Sequence, residues 1–132
     1  MIAFVGCVKS KKDHPCKAEV MYTSDLFKKS LMYAKKADKV YILSAKYGLV
    51  KLDEVILPYQ ETLNKKTREQ QKKWAYKVYL QLKEENIDFK EAAIFLCGEN
   101  YRRYLMQLFE NSSCPIEGLR FGEILKFYKE KI

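Results

Sequence analysis

Residues 40–59 read VYILSAKYGLVKLDEVILPY, a stretch that predicts a buried strand followed by a shaped loop. Its first four residues, Val40–Leu43, are apolar, β-branched or aromatic, and the polar residues that follow predict that the strand ends at Ser44. Gly48 permits a positive φ, while Pro58 fixes its own φ and favours an extended residue before it. Such a loop, directly after a buried strand, is where α/β proteins commonly place groups that contact a ligand.

The loop carries a hydroxyl, an amine, a phenol and a carboxylate, which belong to Ser44, Lys46, Tyr47 and Asp53. We expect Lys46 to be a candidate base or Schiff-base nucleophile, because burial in a crevice beside another lysine would favour its neutral amine. Simple contact with a phosphate is the alternative role for this lysine. Asp53 would orient a lysine or Tyr47, or would hold the loop by accepting bonds from backbone N–H groups.

The pattern Ser44-x-x-Tyr47-Gly48-Leu49, with Asp53 and Pro58-Tyr59 after it, resembles the central motif of the YaaA-like proteins. These are the peroxide-stress YaaA family and the shorter domains related to it. Other matching segments are Gly6-Cys7-x-Lys9-x-Lys11, Ala18, Tyr22-x-Ser24-x-Leu26-Phe27, Trp74-Ala75, Gly98-x-x-Tyr101-Arg102 and Pro115-x-x-Gly118-x-x-x-Gly122. The resemblance implies an association with DNA binding and oxidative stress, and it implies no residue-by-residue catalytic mechanism.

The composition predicts one ordered domain over residues 1–132. A chain of 132 residues with 48% hydrophobic residues is long enough to bury a sizeable core. The apolar start Met1–Val8 is too short for a signal peptide, and no apolar run approaches the roughly 18 residues of a membrane span. Four widely spaced cysteines predict reduced thiols. We therefore expect a cytoplasmic protein that does not contact a membrane.

The charge is uneven along the chain. The formal net charge is +8, and residues 1–66 carry thirteen Lys and Arg against seven Asp and Glu. The loop over residues 9–17 holds four lysines, among them Lys9, Lys11 and Lys12. This asymmetry favours an anionic partner such as nucleic acid or a phosphorylated ligand, whereas a Lys-rich surface that serves only solubility is the alternative.

Two further apolar runs, Ile2–Val8 and Ala92–Cys97, predict strands buried on both faces. Apolar residues at helical spacing predict helices from about Ser24, from about Lys66 to Glu84, over Tyr101–Phe109, and near the end with Phe121, Ile124, Leu125 and Tyr128 facing inward. A fourth strand could lie in Leu49–Leu57. The alternation predicts an α/β fold, a single-domain three-layer sandwich with a mainly parallel sheet of three to four strands and helices on both faces.

Polar groups follow all three predicted strands, and parallel strands bring their carboxyl ends to one edge. The sequence therefore predicts one crevice that contains Cys7 and Lys9, then Ser44, Lys46 and Tyr47, then Gly98, Glu99 and Asn100. Free N–H groups after Gly98 would suit an anion, with Arg102 one turn on, although a plain helix start is the alternative. Tyr47, Tyr59 and Tyr101 are candidates for stacking on a base, and packing is their alternative role.

Cys7 is a candidate nucleophile if its thiolate is favoured, and a buried strand-end cysteine is the alternative. Cys7, His14 and Cys16 lack the paired spacing of a zinc site, so we predict no metal and no cofactor. The leading functional hypothesis is a protein that binds nucleic acid or a nucleotide-like ligand in the crevice. An extension of this hypothesis is that the protein acts on a base or a glycosidic bond. The alternatives are a nucleotide or nucleoside hydrolase or transferase, and a non-catalytic interaction module.

Overall fold

The computed structural model describes residues 1–132 and contains seven strands and five helices. The strands are β1 (Ile2–Gly6), β2 (Cys16–Lys17), β3 (Lys39–Ser44), β4 (Gly48–Lys51), β5 (Val55–Ile56), β6 (Ala93–Leu96) and β7 (Ser112–Ser113). The helices are α1 (Ala18–Met21), α2 (Asp25–Ala34), α3 (Arg68–Glu84), α4 (Glu99–Arg102) and α5 (Phe121–Lys131), with 3-10 turns at Leu63–Lys65 and Met106–Leu108. None of the helices combines the length and the apolar character that crossing a membrane requires.

Five strands form one mixed sheet in the order β4-β3-β1-β6-β7. β1, β3, β6 and β7 are parallel, β4 runs antiparallel to β3, and β2 pairs with β5 in a separate two-stranded sheet. The chain passes from β1 to β3 on one side and later reaches β6 on the other side of β1. The direction of winding therefore changes between β1 and β6, which is the topological switch point of an open α/β sheet.

The strand residues explain why β1 lies at the centre. Ile2, Ala3, Phe4 and Val5 are completely buried, as expected for an apolar strand covered on both faces. The Phe4 ring stacks on Phe95 with 4.8 Å between ring centroids and lies 5.7 Å from Phe109. These rings join β1 to β6 and to the segment that precedes β7, which stabilises the middle of the sheet.

Capping residues define where the helices α2 and α3 begin. Ser24 caps α2 as predicted, because its Oγ accepts the Phe27 N–H at 3.1 Å. Thr67 and Gln70 form a reciprocal capping box at the start of α3. α2 packs on β1 and against α5, and α3 packs on β4. Trp74 of α3 is buried in the core.

The predicted strand count was too low. The sheet has five strands. β4 lies largely within residues 49–57, where a fourth strand was expected, and β7 was not predicted. β7 consists only of Ser112 and Ser113, which pair with Ala93 and Ile94. Two serines have no apolar pattern, so this strand exists because of tertiary pairing and not because of local preference.

Two helix predictions were wrong in detail. The predicted helix over Tyr101–Phe109 is interrupted: α4 ends at Arg102, and Phe109 is extended (φ −102°, ψ 137°). The buried side chains of this segment still follow helical spacing, but the chain must straighten to enter β7. Phe121 is 64% exposed because it begins α5 away from the core, and Phe127 packs on Tyr33 instead, with ring centroids 5.5 Å apart.

Candidate ligand site at the carboxyl edge of the sheet

A pocket of about 380 Å³ opens at the carboxyl ends of β1 and β6. Gly6, Cys7 and Val8 supply its β1 side, and Cys97 and Gly98 supply its β6 side. The turn at residues 116–119 and side chains from α2 and α5 complete the wall. Gly6 is required at this strand end, because a Cβ there would lie 2.7 Å from the Cys97 Cβ.

The pocket wall combines apolar side chains with one cation and two carboxylates. The Arg102 side chain is only 12% exposed; its Nη1 donates to the Cys97 carbonyl at 2.9 Å, and its Nη2 lies 3.7 Å from Glu117 Oε1. Glu99 also lines the pocket and pairs with Arg103 at 3.3 Å. These groups suit a ligand that carries both hydrogen-bond donors, such as hydroxyls, and acceptors that face a guanidinium.

A cluster of one thiol and three phenols adjoins the pocket, and we call Cys7, Tyr22, Tyr59 and Tyr101 the tyrosine–thiol cluster. The hydroxyls of Tyr22 and Tyr59 lie 2.6 Å apart, and the Cys7 thiol contacts the Tyr101 hydroxyl at 3.5 Å. Tyr101 also accepts the Leu63 N–H at 3.3 Å. Cys7 and Tyr101 belong to both the cluster and the pocket wall. The cluster therefore places the Cys7 thiol at the pocket surface in contact with the Tyr101 hydroxyl, while the other two phenols are hydrogen-bonded to each other.

Burial keeps the phenols of the cluster neutral. Burial raises the pKa values of Tyr22, Tyr59 and Tyr101, and the neighbouring Cys7 raises the pKa values of all three further. Neutral phenols can donate and accept hydrogen bonds, but they do not act as bases at physiological pH. Their chemical role is therefore to orient the thiol and the adjoining backbone.

Lys11 is the lysine that the fold partly buries beside this cluster. Its Nζ lies 4.5 Å from the Tyr59 ring centroid and 5.8 Å from that of Tyr22. Burial lowers the pKa of the Lys11 ammonium, while Cys7 and Glu61 oppose that change. The partial burial that was expected for Lys46 is thus found at Lys11.

Lys46 and Asp53 do not have the surroundings that were predicted for them. Lys46 is exposed, and its Nζ lies 5.4 Å from the Tyr47 ring centroid. Asp53 is exposed in the turn between β4 and β5. Neither residue lines the pocket. The burial that was expected to activate Lys46 is therefore missing from this position.

Ser44 and Tyr47 have clear structural contacts. Ser44 is completely buried, and its Oγ accepts the N–H groups of Lys46 at 3.2 Å and Tyr47 at 3.0 Å. Tyr47 donates to the Leu57 carbonyl at 3.3 Å, and its ring meets Tyr59 edge-on at 5.6 Å. These bonds shape the turn between β3 and β4, so both side chains help to fix the loop.

The remaining predicted site residues divide between the pocket and the surface. Gly98, Tyr101 and Arg102 line the pocket, while Asn100 donates to Asn64 Oδ1 at 2.9 Å. Lys9 and Lys12 are exposed outside the pocket wall. Tyr59 is buried, so its ring faces are used in packing and are not free to stack on a base. The predicted crevice thus forms around Cys7 and Gly98 and leaves the loop after β3 outside it.

Sequence reasoning missed two groups of site residues. The sequence shows Tyr22 only as part of a motif. It does not show that the Tyr22 phenol bonds to Tyr59, which is 37 positions away in the chain. Glu117 and its turn line the pocket because they follow β7. Recognition of Ser112–Ser113 as a parallel strand would have placed this turn at the same edge of the sheet.

The cysteine and histidine side chains form no metal centre. No group of three or more His, Cys, Asp or Glu side chains is arranged to hold a metal ion. His14 is exposed and contacts Asp13 at 3.0 Å, while all four cysteines are unpaired. The possible ligand set of Cys7, His14 and Cys16 is therefore not assembled.

The model of a family of unknown function (DUF6884) matches residues 2–130 of the chain. Since the match spans nearly the whole chain, the chain belongs to this family. The predicted YaaA-like membership is wrong, and the DNA binding and oxidative stress that it implied do not carry over. Comparisons with curated proteins and with solved structures give no match.

Proposed function

We propose that this DUF6884 protein binds a nucleoside or another nucleotide-like ligand in the pocket at the carboxyl edge of its sheet. The observation that carries the proposal is the position of the pocket between the ends of β1 and β6. Open α/β sheets bind their ligands at this switch point, because the loops on its two sides diverge and leave a crevice. The switch point follows from the strand order alone and does not depend on the central motif.

The size and lining of the pocket support this class of ligand. A volume of about 380 Å³ lies at the lower end of the range for small-molecule sites. Val8, Leu96 and Ile116 offer apolar surface to a flat ring. The carboxylates of Glu99 and Glu117 can accept bonds from sugar hydroxyls, and Arg102 can donate to a carbonyl or a phosphate.

We also propose how the helices are arranged on the two faces of the sheet. The crossovers from β1 to β3 and from β3 to β6 run in opposite directions across the sheet. With the right-handed connection that parallel strands almost always have, α2 and α3 would lie on opposite faces, which supports a three-layer sandwich. The four unpaired cysteines fit the cytoplasmic location that composition predicts.

If the protein also acts on its ligand, Cys7 in the pocket wall is the group best placed to do so, and Lys11, which lies outside the wall, is a second candidate. Cys7 lines the pocket and is held by Tyr101, and Lys11 is partly buried beside the same cluster. Action on a base or a glycosidic bond, as in a nucleoside hydrolase or transferase, would use the thiol as nucleophile or the amine as base. A non-catalytic module would bind the same ligand without turnover.

Substitution of Gly98 by leucine should abolish ligand binding without unfolding the protein. Gly98 lines the pocket with φ −69° and ψ 162°, and a Cβ there would meet no atom within 4 Å. A leucine is therefore tolerated by the backbone and occupies space at the pocket wall. Wild-type protein should be stabilised in a thermal-shift screen of nucleosides and nucleotides, by about 2.7 kcal/mol when the ligand is at about 100 times its Kd. Gly98→Leu should keep the unliganded Tm and lose the shift.

The matched control is Gly122→Leu, which changes a glycine that also has open space around it and lies outside this pocket. It should keep both the Tm and the ligand response. Absence of any shift in the wild type, or an equal shift in Gly98→Leu, would contradict the proposed site.

Nucleic acid is a second candidate ligand, favoured by the exposed lysines of the loop over residues 9–17. Lys9, Lys12 and Lys17 are exposed, and none of them forms a salt bridge. Free ammonium groups of this kind bind phosphates with little sequence preference. The loop begins directly after the β1 residues that line the pocket, so nucleic acid bound to the loop would lie beside the pocket.

Double substitution of Lys9 and Lys12 by alanine tests this second candidate. Each phosphate contact with B-DNA contributes roughly −0.9 to the slope of log K against log salt. We expect the double variant to bind duplex DNA more weakly and to reduce the magnitude of the slope by about one to two units. Titration of labelled duplex at several salt concentrations measures both effects. No duplex binding by the wild type at about 50 mM salt would remove this candidate.

A further inference from the structure

A second concave surface lies on α3 and shares no lining residue with the pocket. We call it the tyrosine groove: it has a volume of about 300 Å³ and is lined by Lys72, Ala75, Tyr76, Tyr79, Tyr104 and Leu108. Tyr76 is 62% exposed, and its ring lies 6.1 Å from that of Tyr79 with 31° between the ring planes. Aromatic rings that remain open to solvent in a groove offer flat faces to a partner.

Cations border these rings. Lys72 Nζ lies 5.7 Å from the Tyr104 ring centroid, Lys83 Nζ lies 5.6 Å from that of Tyr79, and Arg103 Cζ lies 6.0 Å from that of Tyr104. Arg103 pairs with Glu99, but neither lysine forms a salt bridge. α3 as a whole carries five Lys or Arg against two Glu. The groove is therefore lined by tyrosine rings that have positively charged side chains beside them.

We propose that the tyrosine groove binds single-stranded nucleic acid, with bases stacked on Tyr76 and Tyr104 and phosphates held by Lys72 and Lys83. Proteins that bind single strands without sequence preference combine these two features, because every base has a π-face and every nucleotide has a phosphate. This binding is independent of the nucleotide-like ligand proposed for the pocket. It would involve none of the residues that line the pocket.

Charge and geometry select this partner over the alternatives. A second copy of the chain would bring an equally positive groove, so like charges would oppose the contact. Duplex DNA hides the faces of its bases within its own stack and leaves the tyrosine rings unused. An acidic peptide would neutralise the lysines but would not need several ring faces in one groove.

The test is fluorescence anisotropy of labelled single-stranded oligo-dT with variants of the groove. Tyr76→Ala should weaken binding by about tenfold, because it removes one stacking face. Tyr76→Phe should retain most of the affinity, since the ring remains. The Lys72→Ala and Lys83→Ala double variant should reduce the magnitude of the salt slope by about 1.4, at roughly −0.7 per phosphate of a single strand.

The matched control is Leu80→Ala, another exposed apolar side chain of α3 that does not line the groove. It should bind oligo-dT with the affinity of the wild type. Duplex DNA of the same length should not displace oligo-dT from the tyrosine groove. The proposal is overturned if the wild type does not bind oligo-dT, if Tyr76→Ala and Leu80→Ala bind equally, or if Tyr76→Phe loses as much as Tyr76→Ala. If the wild type self-associates, if Tyr76→Ala suppresses that association and if oligo-dT does not bind, the groove is a homotypic interface and the proposal is also overturned. Gly98→Leu should leave oligo-dT binding unchanged, so this test and that of the pocket fail separately.

Discussion

Replacement of Trp74 by alanine is expected to lower the free energy of unfolding by about 3–5 kcal/mol, in the range found for large aromatic side chains in cores. Trp74 is only 8% exposed, and its ring meets Tyr101 edge-on with 5.7 Å between centroids. Its indole N–H donates to the Ser44 carbonyl at 2.8 Å. The substitution therefore opens a cavity and also leaves a buried carbonyl without its donor.

Trp74→Phe separates these two contributions, because phenylalanine retains an aromatic ring but cannot donate the hydrogen bond. We expect it to cost less than the alanine variant, with about 1–3 kcal/mol arising from the unsatisfied carbonyl of Ser44. Chemical denaturation followed by circular dichroism measures both variants. Lys46→Ala is the control two residues from Ser44; since Lys46 is exposed, its loss should leave stability nearly unchanged. Equal stability losses in Trp74→Ala and Lys46→Ala would show that Trp74 does not hold this strand end.

The central strands could be predicted because their sequence pattern reflects their environment. Ile2–Gly6 and Ala93–Leu96 are short apolar runs, and only helices on both faces can bury such strands. The edge of the sheet was less predictable. Ser112–Ser113 becomes a strand only because β6 offers unpaired backbone groups beside it, which no local pattern reveals.

A pocket opens at the predicted edge of the sheet, and the partly buried lysine near it is Lys11, whereas Lys46 is exposed. Lys46 and Lys11 both follow buried strands, and the sequence does not show which one will be covered. The fold places the rings of Tyr59 and Tyr22 beside Lys11, and both tyrosines come from segments distant in the chain. Partial burial of a side chain by such long-range packing can be read only from the structure.

The central motif also has a structural explanation that does not require a shared function. Ser44 accepts two backbone N–H groups after β3, and Tyr47 donates to the carbonyl of Leu57. Gly48 then starts β4 with φ 77°. A strand that turns back sharply on itself needs these residue types at this spacing, so the pattern reports a local turn and does not identify a family.

Gly48→Val is expected to lower the free energy of unfolding by about 2–4 kcal/mol, because two separate costs coincide at this glycine. A residue with a Cβ at φ 77° costs about 1–2 kcal/mol, and a Cβ there would also collide with Gln81 Oε1. That oxygen accepts the Leu49 N–H at 2.8 Å, and the Gln81 amide donates to the Tyr47 carbonyl at 3.1 Å.

The control is Gly122→Val, at an exposed helical position where a Cβ meets nothing within 4 Å. It should change stability by no more than about 0.5 kcal/mol in urea denaturation. The double variant Gly48→Val, Gln81→Ala should cost less than the sum of its single variants, because the valine side chain already displaces Gln81. Additive losses would mean that Gln81 is not displaced, and equal losses in Gly48→Val and Gly122→Val would refute the requirement for glycine between β3 and β4.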